Sequence, residues 1–407
     1  MSAPPLNPEI QKFFSNIGTS TQSLLKSVTE SAAAATAKWT WWHVAATIAL
    51  ALIFLIVYLT ISRNYETPDN IRVKTTTCTA QLAARVPATG RKSLKLYKEE
   101  LRKGSVSNNA WVLGNLYIAT VNGAGLFFPA RDGVFSPEAV RLAAKAGARG
   151  FVFDIWPDLA GAPVLQAIES GSLWRRISMN ALPFDSAVAA VITAVFGTGL
   201  VPTISDNSDD FVVLYLRFRG EPTKYTYDSV AAALRSNMEQ YRLPAAFNSC
   251  KQQDTLVATH INQLAQKVII VSNMAATDSR LADYINMSAT PDIVVDASPQ
   301  SLANGQITQA MVTRSLTFVA PAIESDGVDY DWEKYGYAQG ASCLAVNYGS
   351  DSAYVTKYLS PEMFGTYSYR IKPVAQRSPI KYTPIPDQTK DQGTNGGVMS
   401  VSAQISP

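Results

Sequence analysis

The chain has 407 residues, 47% of them hydrophobic, and a formal net charge of +3. That length supplies one large domain with appendages, and the near-neutral charge gives no basis for whole-chain nucleic-acid binding. Three widely spaced cysteines (Cys78, Cys250, Cys343) form no CxxC pair, so no disulfide framework or zinc site follows, and two histidines are a scant supply for acid–base or metal chemistry.

Residues 1–43 form a leader. Ile10, Phe13, Phe14 and Ile17 fall at helical spacing, as do Leu24, Leu25 and Val28. The segment reads either as a loosely ordered tail or as a helix lying on a surface or a partner. Val44–Ser62 then runs 19 residues without a charge, close to the ~20 needed to cross a bilayer. Trp39, Trp41 and Trp42 precede it, and Tyr58 and Tyr65 lie near its far end, as amphipathic rings do at headgroup level. The expectation is a single transmembrane helix over 44–62, with a buried core helix as the competing reading. The 43 residues ahead of the apolar run, and the lack of a small-residue cleavage pattern after it, argue against a cleaved signal peptide. Lys26 and Lys38 on one side and Arg63, Arg72 and Lys74 on the other leave its orientation open.

Residues 63–109 read as a polar, basic connector. Within it Arg91–Lys103 carries six basic and two acidic residues, the pattern of a solvated helix face or, near a membrane, of an anionic-lipid contact. Residues 110–373 alternate short apolar runs with helical patterns. The runs predict strands at Asn115–Ala119, Gly150–Ile155, Phe211–Phe218, Val268–Val271, Asp292–Val295, Leu316–Val319 and Ser342–Asn347. Pro137–Ala146, Ser186–Phe196 and Tyr227–Tyr241 read as helices between them. Continuous apolar strands alternating with helices predict an α/β fold with a parallel sheet buried on both faces. About 260 residues in that pattern fit a closed (β/α)8 TIM-type barrel. A doubly wound open sheet is the alternative, but no GxGxxG or GxxxxGK[ST] turn supports a nucleotide site. Residues 374–407, rich in Pro, Gly, Gln, Ser and Thr, read as a tail that is disordered or draped on a partner.

Several blocks, in order, resemble the barrel of phosphoinositide-specific phospholipase C. LYIATVNGAG (116–125) is similar to the strand that in this family ends in Ser-Ser-His-Asn. LAAKAGARGFVFDIW (142–156) resembles its helix, turn and Glu-Leu-Asp-x-Trp strand. Pro163–Leu165 and LPFDSAVAAVITAVF (182–196) look like the strand and helix that follow. FVVLYLRFR (211–219) resembles its V-I-L-S-L-E-N strand, KVIIVSN (267–273) its K-I-L-x-K strand, and 340–373 its closing segment ending Y-x-L-K-P. The match covers about two-thirds of the chain, and its weight lies in the order of the blocks.

The resemblance implies an active site of two histidines, a calcium ion held by an Asn and three carboxylates, and two phosphate-gripping lysines. Carried across residue by residue, most of it is missing. Val121 stands at the first histidine. The second falls near 167–170, and no histidine occurs between Trp111 and Arg242. Asn122 and Asp154 remain as ligands, but Val152 replaces one Glu and Arg217 another. Ser272 and Met274 stand at the lysines. The expectation is therefore a degenerate barrel without catalytic residues, in which Asn122, Asp154 and Arg217 form a residual metal or salt-bridge site. No cofactor is expected, with calcium only if the chain is a divergent phosphodiesterase using Asp154, Asp158 or Glu169.

Other signals are weaker. His260 and His43 read as ordinary surface, core or membrane-edge residues. DGVDYDWE (326–333) reads as a solvated loop or a cation site, and Tyr330, Trp332, Tyr335 and Tyr337 as a protein-contact surface. Asn286-Met287-Ser288 is a glycosylation sequon. No GxSxG or HExxH motif occurs. Together these predict a non-catalytic, single-pass membrane protein whose partners are the lipid bilayer, through 44–62, and other proteins. Anchored barrels of this look occur in large DNA viruses. That likeness suggests a minor capsid or membrane protein linking a virion internal membrane to its capsid, with a lipid-headgroup receptor as a further alternative.

Overall fold

The computed structural model describes residues 41–65, 67–86, 94, 97–99, 110–127, 131–168, 176–180, 182–197, 210–244, 247, 256–288, 294–323, 330–364 and 366–377, together with 181 between two of these runs. The predicted leader to residue 40, Trp39 included, and the tail beyond 377 lie outside the described residues. The chain divides into two units, 1–67 and 68–407.

In the first unit, helix α1 runs Trp41–Tyr65 and spans the predicted apolar run. Its 25 residues correspond to about 37 Å of helix. Side chains of α1 are described over 43–56; Val44, Ile48, Leu50 and Leu52–Ile56 there are about half exposed or more, up to 67% at Phe54. The polar Thr47 donates its hydroxyl to the His43 carbonyl at 2.9 Å, so its hydrogen-bonding need is met within the helix. Trp41, Trp42, Tyr58 and Tyr65 fall at α1 positions whose side chains are not described. Over 43–56, the part of α1 whose side chains are described, and in every other described helix, no run is long and apolar enough to cross a membrane.

The second unit opens with helix α2, Pro68–Arg85. It lies in the stretch read as a connector, yet it packs on the barrel body. Leu82 and Val86 join the core, Lys74 donates to the Asp132 carbonyl, and Arg85 donates to the Ser350 carbonyl at 2.7 Å and pairs with Asp351. Further along, Leu94 is 3% exposed and Tyr97 is half-buried against Trp111 and Tyr367. The other residues of the basic run, Lys98 and Glu99 apart, lie outside the described residues.

Eight parallel strands form the main path of the eleven-stranded curled sheet: β1 Leu116–Val121, β2 Gly150–Pro157, β3 Val212–Phe218, β4 Val268–Ser272, β5 Met287–Ser288, β6 Val294–Ala297, β7 Leu316–Val319 and β8 Cys343–Val346. Every neighbouring pair is parallel and follows chain order, from β6 through β7, β8, β1, β2, β3 and β4 to β5. That order is the circular order of the predicted barrel, with no β5–β6 pairing among the described residues. Parallel neighbours need crossovers, supplied on one side by α3 Pro137–Lys145, α4 Phe184–Phe196 and α5 Lys224–Met238. Ser136 caps α3 through the Glu138 amide, and Thr223 and Thr226 form a capping box on α5. The sheet's other three strands are antiparallel: Pro163–Leu165 beside β2, Leu182–Pro183 beside that, and β9 Tyr369–Ile371, which pairs with the lower half of β1, below the point where β2 joins it.

Because side chains alternate along a strand, the sheet carries two cores. Ile118, Val152, Val213, Tyr215, Val271, Phe318 and Cys343 fill the inner face. Tyr117, Ala119, Val121, Phe151, Phe153, Leu214, Leu216 and Ile270 pack outward on the helices. Gly150 sits where the inner layer is tightest. A β-carbon there would lie 2.3 Å from Thr120 Oγ1 and 3.0 Å from its Cβ, and the Cβ cannot swing away. Gly150→Ala is expected to lose about 1–3 kcal/mol, as overpacked cores do. Urea denaturation checks this, and Thr120→Ala in the same chain should restore most of the loss.

Candidate functional site

The C-terminal ends of the strands are where barrels of this kind carry their chemistry. The register places Asp154 of β2 directly beside Arg217 of β3, each two residues beyond the inner pair Val152 and Tyr215. Arg217 Nη2 donates to Asp154 Oδ2 at 2.7 Å and to Asn122 Oδ1 at 3.1 Å, and Nη1 donates to the Ala320 carbonyl at 3.3 Å. The Arg217 and Asp154 side chains are each 2% exposed. Asn122 completes the ring by donating Nδ2 to the Pro321 carbonyl at 2.9 Å. Arg219, which follows β3, donates Nε to Asp154 Oδ1 at 2.7 Å and is one-third exposed.

Both oxygens of Asp154 therefore accept from guanidinium groups. Burial by itself would raise the Asp154 carboxyl; the charge of Arg217, then that of Arg219, outweighs it and holds the group below the ordinary carboxylate range. A hard cation takes six to eight oxygen ligands and is favoured by carboxylates. The described donor set, one carboxylate already bound by two guanidinium groups, fits calcium poorly.

Asn122, Asp154 and Arg217 are thus brought together, while the other aligned positions are not. Val121 belongs to the outer core, and so do its register partners Val346 and Phe151. Val152 is buried in the inner core below the mouth. Ser272 is buried and follows the outward-facing Val268 and Ile270 in alternation; its hydroxyl accepts from the Met274 amide at 3.1 Å. Met274 is 40% exposed beyond the strand. Asp158 Oδ1 accepts from the amides of Ala160 and Ala162 and so braces its own loop. Glu169 lies outside the described residues. His260 caps the turn 261–263 through Nδ1.

Two further readings are corrected by burial. Tyr330 and Trp332 are core residues: Trp332 stacks edge-on against Tyr358 and donates Nε1 to the Tyr354 carbonyl at 2.8 Å. A five-residue π-helical turn over Glu333–Tyr337 follows them and lays the Tyr337 ring on Tyr117. The protein-contact surface expected there does not form from Tyr330 and Trp332. Asn286 of the sequon is 3% exposed and accepts from the Ile270 amide at 2.8 Å, so its amide is engaged in the fold and closed to glycan attachment.

Sequence reasoning missed Arg219, though its two-residue offset from Arg217 signalled the same face. It also missed a second ion pair at the opposite end of the barrel. Arg149 Nε donates to Asp210 Oδ2 at 2.8 Å, with the two side chains 1% and 0% exposed, and Asp210 Oδ1 accepts from the Leu94 amide at 2.7 Å.

No protein-family model matches this chain, and no curated protein is similar to it in sequence. Among solved structures, PLC21 from S. officinalis aligns at 16% identity and a TM-score of 0.52, over 68% of this chain and 39% of its own. PLC21 from L. pealei aligns at 14% identity and a TM-score of 0.50, over 67% of this chain and 38% of its own. A calcium-dependent phosphoinositol-specific phospholipase C from a Pseudomonas species aligns at 10% identity and a TM-score of 0.38, over 65% of this chain and 97% of its own, too distant to carry an argument. At these identities the likeness extends to the fold alone, a phospholipase-C-like α/β sheet. The chain spans about two-fifths of the length of the PLC21 chains.

Proposed function

We propose that this chain is a non-catalytic, membrane-anchored scaffold that uses a degenerate phospholipase-C-like barrel as a structural or binding module. The observation that carries the reading is the Arg217 guanidinium lying on Asp154 and Asn122 at 2.7 and 3.1 Å. A fixed cation holds the carboxylate that a calcium-dependent enzyme would give to its metal. General acid–base groups typically contribute 10²–10⁴-fold each, and the mouth residues described above, an Asn, an Asp and two Arg, include none suited to exchanging protons near neutral pH. The anchor of the proposal is α1, whose described side chains over 44–56 are almost wholly apolar and outward-facing. In its finer form the scaffold joins a virion internal membrane to capsid proteins, on the likeness of anchor and barrel together.

The full-length chain in detergent micelles, given phosphoinositides and calcium, is expected to release no inositol phosphate. Alkaline carbonate should leave it in the membrane pellet. Calcium-dependent turnover would overturn the scaffold reading, and carbonate extraction into the supernatant would overturn the anchor.

A second reading, headgroup binding without cleavage, is favoured by one observation: Arg219 is one-third exposed at the rim of the mouth. Vesicles carrying anionic lipid should then retain the chain, and Arg219→Ala should weaken that retention.

A further inference from the structure

Away from the mouth, Lys372 is fully buried. It follows β9 at the floor of the barrel, where its amide donates to the Asn115 carbonyl at 2.9 Å. Among the described residues its Nζ has one hydrogen-bond partner, Ser342 Oγ at 2.9 Å, and it lies 5.9 Å from the Tyr117 ring centroid, the outer limit of a cation–π contact. An ammonium carries three donors. Burying it with one acceptor is costly, whereas a neutral amine is satisfied by the same site.

The described groups around Lys372 offer no countercharge. From β8 come the Ser342 hydroxyl and the Cys343 thiol, which burial pushes up to about 12 and which is therefore neutral. From β1 comes the Tyr117 phenol, raised by burial and by Tyr337. Tyr330 lies near Cys343 and is raised by burial. The remaining charged groups are cations: Arg370 stacks over the Tyr337 ring, and Arg377 donates Nε to the Lys372 carbonyl at 2.8 Å. No carboxylate acts on Lys372 among the described residues. Burial draws the Lys372 ammonium down to about 7.

The segment that holds this lysine is lightly attached. Tyr369 is fully buried, but from Ile371 the chain is half-exposed or exposed except at Lys372 itself. Ile371 donates its amide to Tyr97 Oη at 3.0 Å, and Gln376 bonds Tyr117 Oη and the Ala338 carbonyl. Opening Ile371–Arg377 would leave the eight parallel strands intact and return Lys372 to water, an example of local rather than global unfolding.

We propose that Ile371–Arg377 is a proton-operated latch: proton uptake by Lys372 favours its release from the barrel floor and uncaps Tyr97, so that the latch and Tyr97 are coupled. The sign follows from linkage. The docked latch holds fewer protons than the open one between about pH 7 and the ordinary lysine range, so docking strengthens as pH rises across that window and is flat below it. From pH 9 to pH 7 the opening constant should rise about 50-fold, then level off in acid.

Hydrogen exchange of the Ile371 and Lys372 amides in the full-length chain, corrected for the chemical exchange rate, measures this opening. The wild-type chain is expected to lose protection from pH 9 to 7 and then plateau. Lys372→Met is expected to keep its protection throughout, and His260→Gln to behave as wild type, which separates the lysine from histidine titration. Protection independent of pH in the wild type, or the same pH dependence in Lys372→Met, would overturn the latch. If Lys372→Met does not fold, the 13Cε shift of Lys372 in the wild type decides. Titration near pH 7 supports the latch, and titration in the ordinary lysine range refutes it.

Discussion

Arg149→Ala is expected to destabilise the barrel by about 3–5 kcal/mol, the cost of stranding one member of a buried ion pair. The pair is closed to water, at 1% and 0% exposure. Arg149 also donates Nη1 to the Ala144 and Ala148 carbonyls at 3.1 and 2.8 Å, so its loss leaves those acceptors, with Asp210, short of a donor. Lysine should rescue little, because its ammonium cannot reproduce a fork that reaches a carboxylate and two carbonyls together. The effect should extend to Leu94, whose amide Asp210 also holds. Denaturant unfolding reads the first effect, and faster exchange at Leu94 reads the second. A loss below about 1 kcal/mol, the range of exposed pairs, would show that Arg149–Asp210 is not closed to water in solution.

The second large effect is at the mouth. Arg217→Ala should cost about 3 kcal/mol or more, toward the lower end because Arg219 still pairs with Asp154. Its signature is in the pH dependence. Asp154 is held below its ordinary value in the folded chain. Its contribution to stability is therefore complete above the unfolded value of about 3.9 and is lost as pH falls through the lower folded value. Burial is the leading influence raising this carboxyl, and Arg217 the leading one lowering it. Without Arg217 the acid limb of the stability curve should move to higher pH. An unmoved acid limb would remove Arg217 as the counterion.

Much of the sheet was legible in the sequence because buried parallel strands are continuous apolar runs. Seven of the eight were readable within a few residues; β5, at Met287–Ser288, has only two residues and no room for a pattern. The Asp154–Arg217 pair was legible because each residue lies on a long strand at a fixed offset from an apolar neighbour. Arg149 and Asp210 were not, since they sit just before their strands and are brought together only by the β2–β3 register. The burial of Tyr330 and Trp332 escaped notice because aromatic residues mixed with charges mark a core and an interface alike. Lys372 was invisible as a buried group, since nothing in a Lys-Pro pair announces that its side chain turns inward.

The outward packing of Val121 limits what a histidine could do at that position. Position 121 sits in the layer between sheet and helices, with Phe151 and Val346 as its register neighbours. A histidine substituted there would meet an apolar wall as an unsatisfied polar group and would not face the mouth. Bringing it to the mouth would need the end of β1 re-aimed, whereas a new mouth group at Asn122, whose side chain already meets Arg217, needs no change of backbone.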